Sequence, residues 1–141
     1  MNTLLKKGDK LTGYGEAAEL FIARIGALEH EELHALFLDA DNVVITVEML
    51  AKGGESSVSG PSAQSIADRA RELGARKFIV SHNHPGTPVE QKPIPSYQDI
   101  QTTIRIGAYM AVDGLNLLDH IVVGPGKATS IRFEVMGDSQ S

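Results

Sequence analysis

The sequence predicts an α/β protein of a single domain, with a mixed central β-sheet flanked by helices. Helical and extended patterns alternate along the chain, which is typical of this class. The segment Phe78-Ile79-Val80 is apolar on both faces, as a strand in the middle of a sheet must be. The chain has 141 residues, near the commonest domain size, so we expect one well-formed hydrophobic interior.

The first part of the chain is predicted to contribute a helix and two strands. Apolar residues recur at helical spacing over Ala17–Leu28. Strands are predicted over Leu33–Leu38 and Val43–Leu50, and residues 39–42 between them have the composition of a turn. We expect residues 1–28 to form a helical lead-in, residues 29–136 the main domain, and residues 137–141 a frayed tail.

A loop, an amphipathic helix and the central strand follow. The loop, rich in Gly and Ser, spans Lys52–Gly60, and the helix spans Pro61–Leu73 and is stopped by Gly74. The central strand spans Lys77–Ser81. The inward face of the helix is predicted to consist of Ala63, Ile66, Ala67, Ala70 and Leu73.

The last part is predicted to contain one helix and two strands. The helix spans Ser96–Ala111, and the strands span Leu115–Val123 and Thr129–Val135 with a turn at Gly124-Pro125-Gly126 between them. The inward face of this helix is predicted to consist of Ile100, Thr103, Ile104, Gly107, Ala108 and Ala111.

Two histidines stand at the end of the central strand, in the segment Ser81-His82-Asn83-His84-Pro85. Side chains alternate along a strand, so His82 and His84 leave the same face, about 6.5–7 Å apart at the backbone. Both imidazoles can then bind one ion at about 2.0–2.1 Å. Asp99, in the first turn of the next helix, offers a third ligand. Two imidazoles and one carboxylate suit zinc and leave a fourth position open for water.

Each of these residues also has an ordinary structural interpretation. Histidines at strand ends often serve only as hydrogen-bonding groups. The segment Ser96-Tyr97-Gln98-Asp99 has the pattern of a helix N-cap with an acid three residues later, and this capping box needs no metal. The order of strand, His-x-His, Gly/Pro loop and Ser-x-x-Asp at a helix start is what favours a metal site.

Four separated motifs, in the same order, resemble the RadC-type branch of the JAB/MPN metalloprotease-like family. They are the segments Glu32–Asp39, His82–Gly86, Ser96–Ile100 and Leu117–Gly124. The resemblance covers nearly the whole chain, from residue 31 to residue 133. It implies a cytidine-deaminase-like fold and a zinc-dependent metallopeptidase or isopeptidase of the JAMM type, with one Zn²⁺ per chain.

The resemblance also implies roles for single residues. His82, His84 and Asp99 would hold the metal. Glu32 matches the family's catalytic Glu, which takes a proton from water and returns it to the leaving amine. Its neighbour Glu31 points to the opposite face of the strand and is the alternative. Ser96 can cap the helix, and the equivalent serine of the family donates to the developing oxyanion; the sequence leaves both roles open.

Three further histidines and one aspartate need an interpretation. Asp119 and His120 recur in the family motif near the site, so they either support a ligand or a loop from behind or make a structural hydrogen bond within the sheet. His34 shares the strand face of Glu32 and either lines the cleft or packs within the sheet. His30 is most simply a loop residue.

The loop between the second histidine and the serine departs from the family's pattern. Eleven residues, Pro85 through Pro95, separate His84 from Ser96, which is an apparent insertion. Loops accept insertions at little cost in free energy, so Asp99 can still reach the site. We expect this loop and Ala51–Gly60 to form two walls of the active-site cleft, where an extended substrate pairs with a strand edge.

The composition of the chain limits the kinds of molecule and environment that we expect it to interact with. The net charge is −5 and the basic residues are dispersed, so a nucleic-acid partner is not expected. No Cys is present, which excludes disulfides and thiolate metal sites, and no apolar stretch approaches the roughly 18 residues of a membrane span. We expect a cytoplasmic protein that acts on a peptide or protein tail, and the sequence does not indicate an oligomeric state.

Two other functions compete with the peptidase. One is a catalytically silent interaction module that keeps the fold and is linked to DNA repair only by the family's historical label. The presence of all five residues of the motif argues against it: Glu32, His82, His84, Ser96 and Asp99. The other is a nuclease, suggested by the letters His-Asn-His. We discount it because the three residues are adjacent and no basic groove accompanies them.

Overall fold

The computed structural model describes residues 4–53 and 62–132. Within these residues, helices and strands follow one another in the order α1 (Tyr14–Ile25), β1 (Glu32–Leu38), β2 (Val44–Lys52), α2 (Ala63–Leu73), β3 (Lys77–Asn83), α3 (Tyr97–Val112), β4 (Asn116–Gly124) and β5 (Lys127–Ser130). The predicted α/β class is confirmed, and the predicted strand Lys77–Ser81 continues two residues further, so that it includes the first histidine.

The five strands form one mixed sheet in the order β2-β1-β3-β4-β5. β1 is antiparallel to β2 and β3, β3 is parallel to β4, and β4 is antiparallel to β5. β3 therefore lies at the centre, as its apolar residues on both faces predict. The C-terminal end of β3, where the two histidines stand, lies next to the C-terminal half of its parallel neighbour β4.

Helices cover both faces of the sheet. α1 packs on one face against residues such as Leu36, Ile79 and Ile121. α2 and α3 cover the other face, where Phe78 of β3 lies 6.3 Å from Phe37 of β1 between ring centroids. We call these the α1 face and the α2/α3 face. Because successive strand residues alternate, each functional side chain belongs to one face or the other.

A bulge in β4 interrupts this alternation. Phe78 of β3 is paired with Leu117, but the next residue, Ile79, is paired with Asp119, so Leu118 is an extra residue. Leu117 packs on the α2/α3 face, whereas Leu118 packs on the α1 face. The bulge places Asp119 on the α1 face as well, and the regular alternation then returns His120 to the α2/α3 face.

Helix boundaries depend on caps that the apolar pattern does not reveal. α1 begins three residues before the predicted Ala17, because the Glu16 carboxylate accepts hydrogen bonds from the backbone N–H groups of Thr12 (2.6 Å) and Gly13 (3.3 Å). α2 agrees with its predicted inward face, and Gly74 ends it with a φ of +74°.

The C-terminal strand also differs from its prediction. β5 begins at Lys127, two residues earlier than predicted, because Gly126 with a φ of +75° allows a tight turn after β4. β5 ends at Ser130, so the prediction of a strand that continues to Val135 is wrong at Ile131 and Arg132. The last three residues of that prediction and the predicted tail at 137–141 lie outside the described residues. So does most of the predicted Gly/Ser loop at Lys52–Gly60.

α3 is rotated about its axis relative to the prediction. Thr103, Ile106, Gly107 and Met110 face the sheet, and Met110 is fully buried. The predicted inward residue Ile104 is 51% exposed, and Ala108 and Ala111 are exposed too. The first turn sets this rotation, because Asp99 and Thr103 must lie on one side of the helix to reach histidines of the sheet.

Candidate metal centre

The two histidines of the His-Asn-His segment reach one side of the sheet. His82 is paired with Leu33 of β1 and Val122 of β4, and paired residues point to the same face. His84 follows the strand, and its backbone N–H donates to the Val123 carbonyl at 3.0 Å. This bond extends the sheet beyond β3 by one residue, and both imidazoles point to the α2/α3 face.

Asp99 comes from the first turn of α3, where a capping box holds it. The Asp99 N–H donates to Ser96 Oγ at 3.0 Å, and the Ser96 N–H donates to Asp99 Oδ2 at 2.9 Å. The predicted capping motif is therefore present. Because the cap fixes the carboxylate at the helix start, Asp99 serves the helix and faces the histidines with the same oxygen.

The three side chains form a nearly equilateral triangle of ligand atoms. His82 Nε2 and His84 Nε2 are 3.1 Å apart, and they lie 3.4 and 3.3 Å from Asp99 Oδ2. Ligands bound to zinc at about 2.0–2.1 Å with tetrahedral angles are about 3.3–3.4 Å apart. The triangle thus fits a tetrahedral zinc ion with three protein ligands and one open position. These residues are the group of the described chain that could hold a metal ion.

The Asp99 carboxylate is ionised in this arrangement. Burial alone would raise the pKa of Asp99, but hydrogen bonding to His82 and His84 outweighs burial and lowers this pKa well below its usual range. An ionised carboxylate beside two imidazoles supplies the negative charge that a divalent cation needs.

A chain of hydrogen bonds lies behind His82. His82 Nδ1 is 2.7 Å from His120 Nε2, and His120 Nδ1 is 2.7 Å from Thr103 Oγ1, which donates to the backbone carbonyl of Asp99 at 2.8 Å. Burial, followed by the charge of His82, lowers the pKa of His120 to about 3, so its ring is neutral. The sequence prediction named His120 but missed Thr103, although Thr103 lies four residues after Asp99 on the same side of a helix.

The donors and acceptors of this chain allow a single arrangement when His82 binds a metal through Nε2. Nδ1 of His82 then carries the proton and donates to His120 Nε2. The proton of His120 is consequently on Nδ1 and is donated to Thr103 Oγ1. The Thr103 hydroxyl is already committed to the Asp99 carbonyl. The network therefore fixes both the tautomer and the orientation of the His82 ring.

Asp119 lies away from this site, which corresponds to the predicted alternative of a structural hydrogen bond within the sheet rather than to support of a ligand. The β4 bulge places it on the α1 face, where its carboxylate accepts hydrogen bonds from Ser130 Oγ at 2.6 Å and from the Arg132 N–H at 3.0 Å. It also accepts from the His120 N–H at 2.7 Å. Burial raises the pKa of Asp119 despite these bonds. Asp119 therefore joins β4 to β5.

The predicted base Glu32 also points to the opposite face. Leu33 shares the face of His82, so Glu32, one residue earlier, lies on the α1 face. Its two carboxylate oxygens are 2.8 Å from His34 Nε2 and 2.7 Å from His30 Nε2. Hydrogen bonding to His34, then to His30, lowers the pKa of Glu32. This placement argues against Glu32 as a base at the metal centre.

Glu31, the alternative, lies on the metal side. The paired residues of β1 and β3 end at Leu33 and His82, and continuing the alternation of β1 by two residues places Glu31 on the same side of the sheet as Leu33. Glu31 is exposed, and its carboxylate makes no hydrogen bond or ion pair with a described residue. It is thus an exposed carboxylate on the side of the sheet that carries His82.

The two remaining histidines belong to the cluster around Glu32. His34 is buried, and its Nδ1 accepts from Arg24 Nε of α1 at 3.2 Å, which corresponds to the packed alternative rather than to a cleft-lining residue. His30 lies in the loop before β1, as predicted, and has 43% of its side chain exposed.

The loop after His84 divides into two parts. Near the metal side, Gly86 has a φ of +86° and Thr87 folds back, its Oγ1 donating to the His84 carbonyl at 2.9 Å. Further along, Thr129 Oγ1 of β5 donates to the Pro93 carbonyl at 2.7 Å. Residues 92–95 line a cleft of about 570 Å³ with Asp119, Tyr14 and β5, and His82, His84 and Asp99 are not among its lining residues.

A protein-family model matches most of this chain. A model described as the RadC-like JAB domain matches residues 11–136 of this chain. That range includes α1, which packs on the sheet, and it contains the whole metal centre.

Curated relatives carry the name "UPF0758 protein". One from Staphylococcus carnosus is 37% identical over 123 residues, covering 86% of this chain and 52% of the relative. One from Chromohalobacter salexigens is 34% identical over 130 residues, covering 92% of this chain and 56% of the relative. The chain thus spans about half the length of the curated relatives it matches.

One further observation concerns membranes. Among residues 4–53 and 62–132, no helix has the length and apolar character needed to cross a bilayer.

Proposed function

The chain belongs to the RadC-like JAB domain family, and from this premise we propose that it is a zinc-dependent metallopeptidase or isopeptidase of the JAMM type. The single observation that carries the proposal is the triangle of His82, His84 and Asp99, whose edges of 3.1–3.4 Å match tetrahedral zinc. We expect one zinc ion per chain. The bond cleaved is an amide, and the substrate is a peptide or protein tail.

The donor set favours zinc among the common divalent ions. Imidazole and carboxylate ligands without thiolate, in a three-ligand site with an open fourth position, are typical of catalytic zinc. Zinc in this position would act as a Lewis acid on a carbonyl and lower the pKa of a water molecule from about 15.7 to near 7.

Glu31 is the proposed base. Its place on the same side of the sheet as Leu33 and His82 brings a carboxylate to where water and substrate would meet. In the reaction, Glu31 takes a proton from the attacking water and later returns it to the leaving amine nitrogen. The carboxylate has no competing partner among the described residues, so it is free for both transfers.

Ser96 is the proposed donor to the oxyanion. Its Oγ accepts the Asp99 N–H, which leaves the hydroxyl proton for another acceptor. The cap and the donation are therefore compatible. A donor of this kind is worth roughly 2.7–4 kcal/mol of transition-state stabilisation.

The chain behind His82 has a positioning role. His120 and Thr103 hold the imidazole in the tautomer that leaves Nε2 as an acceptor for the metal. We also propose a cytoplasmic location, and the net charge of −5 gives no support for a nucleic-acid substrate.

The first test is the metal content of purified wild-type protein and of the His82→Ala/His84→Ala variant, measured by plasma emission spectrometry. We expect about one zinc per chain in the wild type and none in the variant. A wild type that stays metal-free after zinc is offered would contradict the proposal and leave a non-catalytic interaction module.

The second test separates the two neighbouring glutamates. Peptidase activity against a peptide library is expected to be abolished in Glu31→Gln and retained in Glu32→Gln, since the two carboxylates lie on opposite faces of β1. The Glu32→Gln variant is a matched control because it makes the same chemical change one residue away. The reverse pattern would restore Glu32 as the base.

A further inference from the structure

Asn83, the residue between the two histidine ligands, has a side chain with an unusual pair of partners. It is fully buried, and it points to the α1 face while its neighbours point to the metal. Its Oδ1 accepts the backbone N–H of Glu32 at 2.8 Å, and its Nδ2 donates to the backbone carbonyl of His30 at 2.8 Å. A backbone N–H needs an acceptor and a carbonyl needs a donor, so these partners fix the orientation of the amide.

The two backbone groups that Asn83 binds lie immediately before and after Glu31 in the chain. The His30 carbonyl belongs to the peptide group before Glu31, and the Glu32 N–H belongs to the peptide group after it. One side-chain amide therefore holds both peptide groups that flank this residue. Because φ and ψ of Glu31 rotate between these two groups, fixing both of them fixes the direction of the Cα–Cβ bond from which the Glu31 carboxylate extends.

Two further contacts hold the same backbone. The Gly53 N–H, just beyond β2, donates to the Glu31 carbonyl at 2.6 Å. A Cβ at Gly53 would lie 3.0 Å from the Glu31 Cβ and carbonyl oxygen, so a side chain there would press on the Glu31 backbone. On the α1 face the Glu32 carboxylate is hydrogen-bonded between His30 and His34. The side chain of Glu31 is thus exposed, while the backbone around it is hydrogen-bonded to Asn83 and to Gly53.

We propose that Asn83 is a positioning residue that sets the location of the Glu31 carboxylate relative to the metal ligands. The inference rests on the proposed function, in which Glu31 is the base. Within the tripeptide His82-Asn83-His84, the outer residues bind the metal on one face of the sheet and the middle residue holds the backbone of the base from the other face. The distance between metal and base is then set by one short, rigid segment.

The substitution that tests this is Asn83→Ala, with Asn83→Asp as a second variant that keeps the acceptor for the Glu32 N–H and loses the donor to His30. Ser81→Ala is the matched control. Ser81 lies two residues earlier on the same face of β3, is fully buried, and has an Oγ with no hydrogen-bond partner among the described residues.

The first readout needs no metal. In metal-free protein, the exchange rate of the Glu32 amide proton, followed by NMR, is expected to rise about fivefold in Asn83→Ala, because one hydrogen bond of about 1 kcal/mol is lost. It is expected to stay unchanged in Ser81→Ala and in Asn83→Asp. An unchanged Glu32 rate in Asn83→Ala would overturn the proposal.

The second readout distinguishes positioning from general support of the strand. Zn²⁺ affinity, measured by competition with a chelator, is expected to match the wild type in both Asn83 variants. With Co²⁺ as a paramagnetic probe, relaxation of the ¹³C-labelled Glu31 carboxyl carbon is expected to fall severalfold in Asn83→Ala and to be unchanged in Ser81→Ala. Unchanged relaxation of Glu31, or a loss of Zn²⁺ affinity in Asn83→Ala equal to that of a ligand variant, would overturn the role.

The two proposals fail in different ways. A wild-type protein that binds neither Zn²⁺ nor Co²⁺ would overturn the metallopeptidase proposal and, with it, the positioning of a base. Binding of both metals together with an unchanged Glu32 exchange rate would overturn only the role of Asn83.

Discussion

The buried His120 predicts a specific loss of stability in mild acid. In the metal-free fold, burial and the charge of His82 lower the pKa of His120 from 6.5 to about 3. Below pH 6.5, His120 is protonated in the unfolded chain, whereas in the folded chain it stays neutral down to about pH 3. The sign is therefore fixed: the folded state loses stability as the pH falls below 6.5, and the loss levels off near pH 3.

The size of the effect follows from the same two values. Each pH unit between them costs about 1.4 kcal/mol, so at pH 5, which is 1.5 units below 6.5, the wild type loses about 2 kcal/mol through His120. At pH 7.5 this loss is negligible. The substitution His120→Gln removes the titration, while the amide oxygen can still accept the His82 proton and the amide nitrogen can still donate to Thr103.

The assay is urea unfolding of both proteins at pH 7.5 and pH 5, with a chelator present throughout. The free energy of unfolding of the wild type is expected to fall between the two pH values by about 2 kcal/mol more than that of His120→Gln. Ser81→Ala, a buried substitution in the neighbouring strand, is expected to show the wild-type pH dependence. Equal pH dependence in the wild type and His120→Gln would refute the reasoning.

Three other predictions concern the elements that carry the site. Ser96→Ala removes the acceptor for the Asp99 N–H and is expected to cost about 1 kcal/mol in urea unfolding, and an unchanged midpoint would contradict the cap. Phe78→Ala empties a fully buried position between β1 and α2, so thermal unfolding is expected to report a loss of about 3–5 kcal/mol; a loss typical of a surface site would be inconsistent with that burial. Because hydrogen bonds from His34 and His30 lower the pKa of Glu32, its carboxylate stabilises the fold above its ordinary pKa of 4.5. Glu32→Gln is therefore expected to be less stable than the wild type at pH 7, with a difference that closes as the pH falls below 4.5; equal stability at pH 7 would argue against the cluster.

The parts of the site that could be predicted from the sequence are those set by local geometry. His82 and His84 share a face because a strand alternates with a period of two, and Asp99 stands at a helix start because a capping box needs an acid three residues after Ser96. The central place of β3 followed from its apolar residues on both faces. Each of these inferences involves residues close together in the chain.

The parts that could not be predicted depend on contacts between distant segments. Glu31 and Glu32 are adjacent at the start of β1, and only the register of Leu33 against His82 decides which of them lies on the side of the two histidines. Asp119 and His120 are adjacent in the sequence, and a bulge at Leu118 decides which of them stands behind His82. Nothing in the local pattern of β1 or β4 reveals either the register or the bulge.

The rotation of α3 was missed for a related reason. Its apolar periodicity predicted Ile104 as an inward residue, whereas the contacts of Asp99 with His82 and of Thr103 with His120 leave Ile104 on the solvent side of the helix. Apolar burial favours one rotation of the helix and the polar contacts of its first turn favour another. In this helix the polar contacts determine the orientation.

The bulge in β4 also determines where this strand can change in length. Leu117 and Asp119 keep their partners Phe78 and Ile79 whether or not Leu118 is present, so removal of Leu118 would straighten the strand and leave His120 facing His82. A residue gained or lost between Asp119 and Val122 would instead turn the imidazole of His120 to the far side of the sheet. Relatives with an insertion or deletion in this strand should therefore carry it at the bulge, and a shift elsewhere in β4 would mark a chain that has lost this support for its metal ligand.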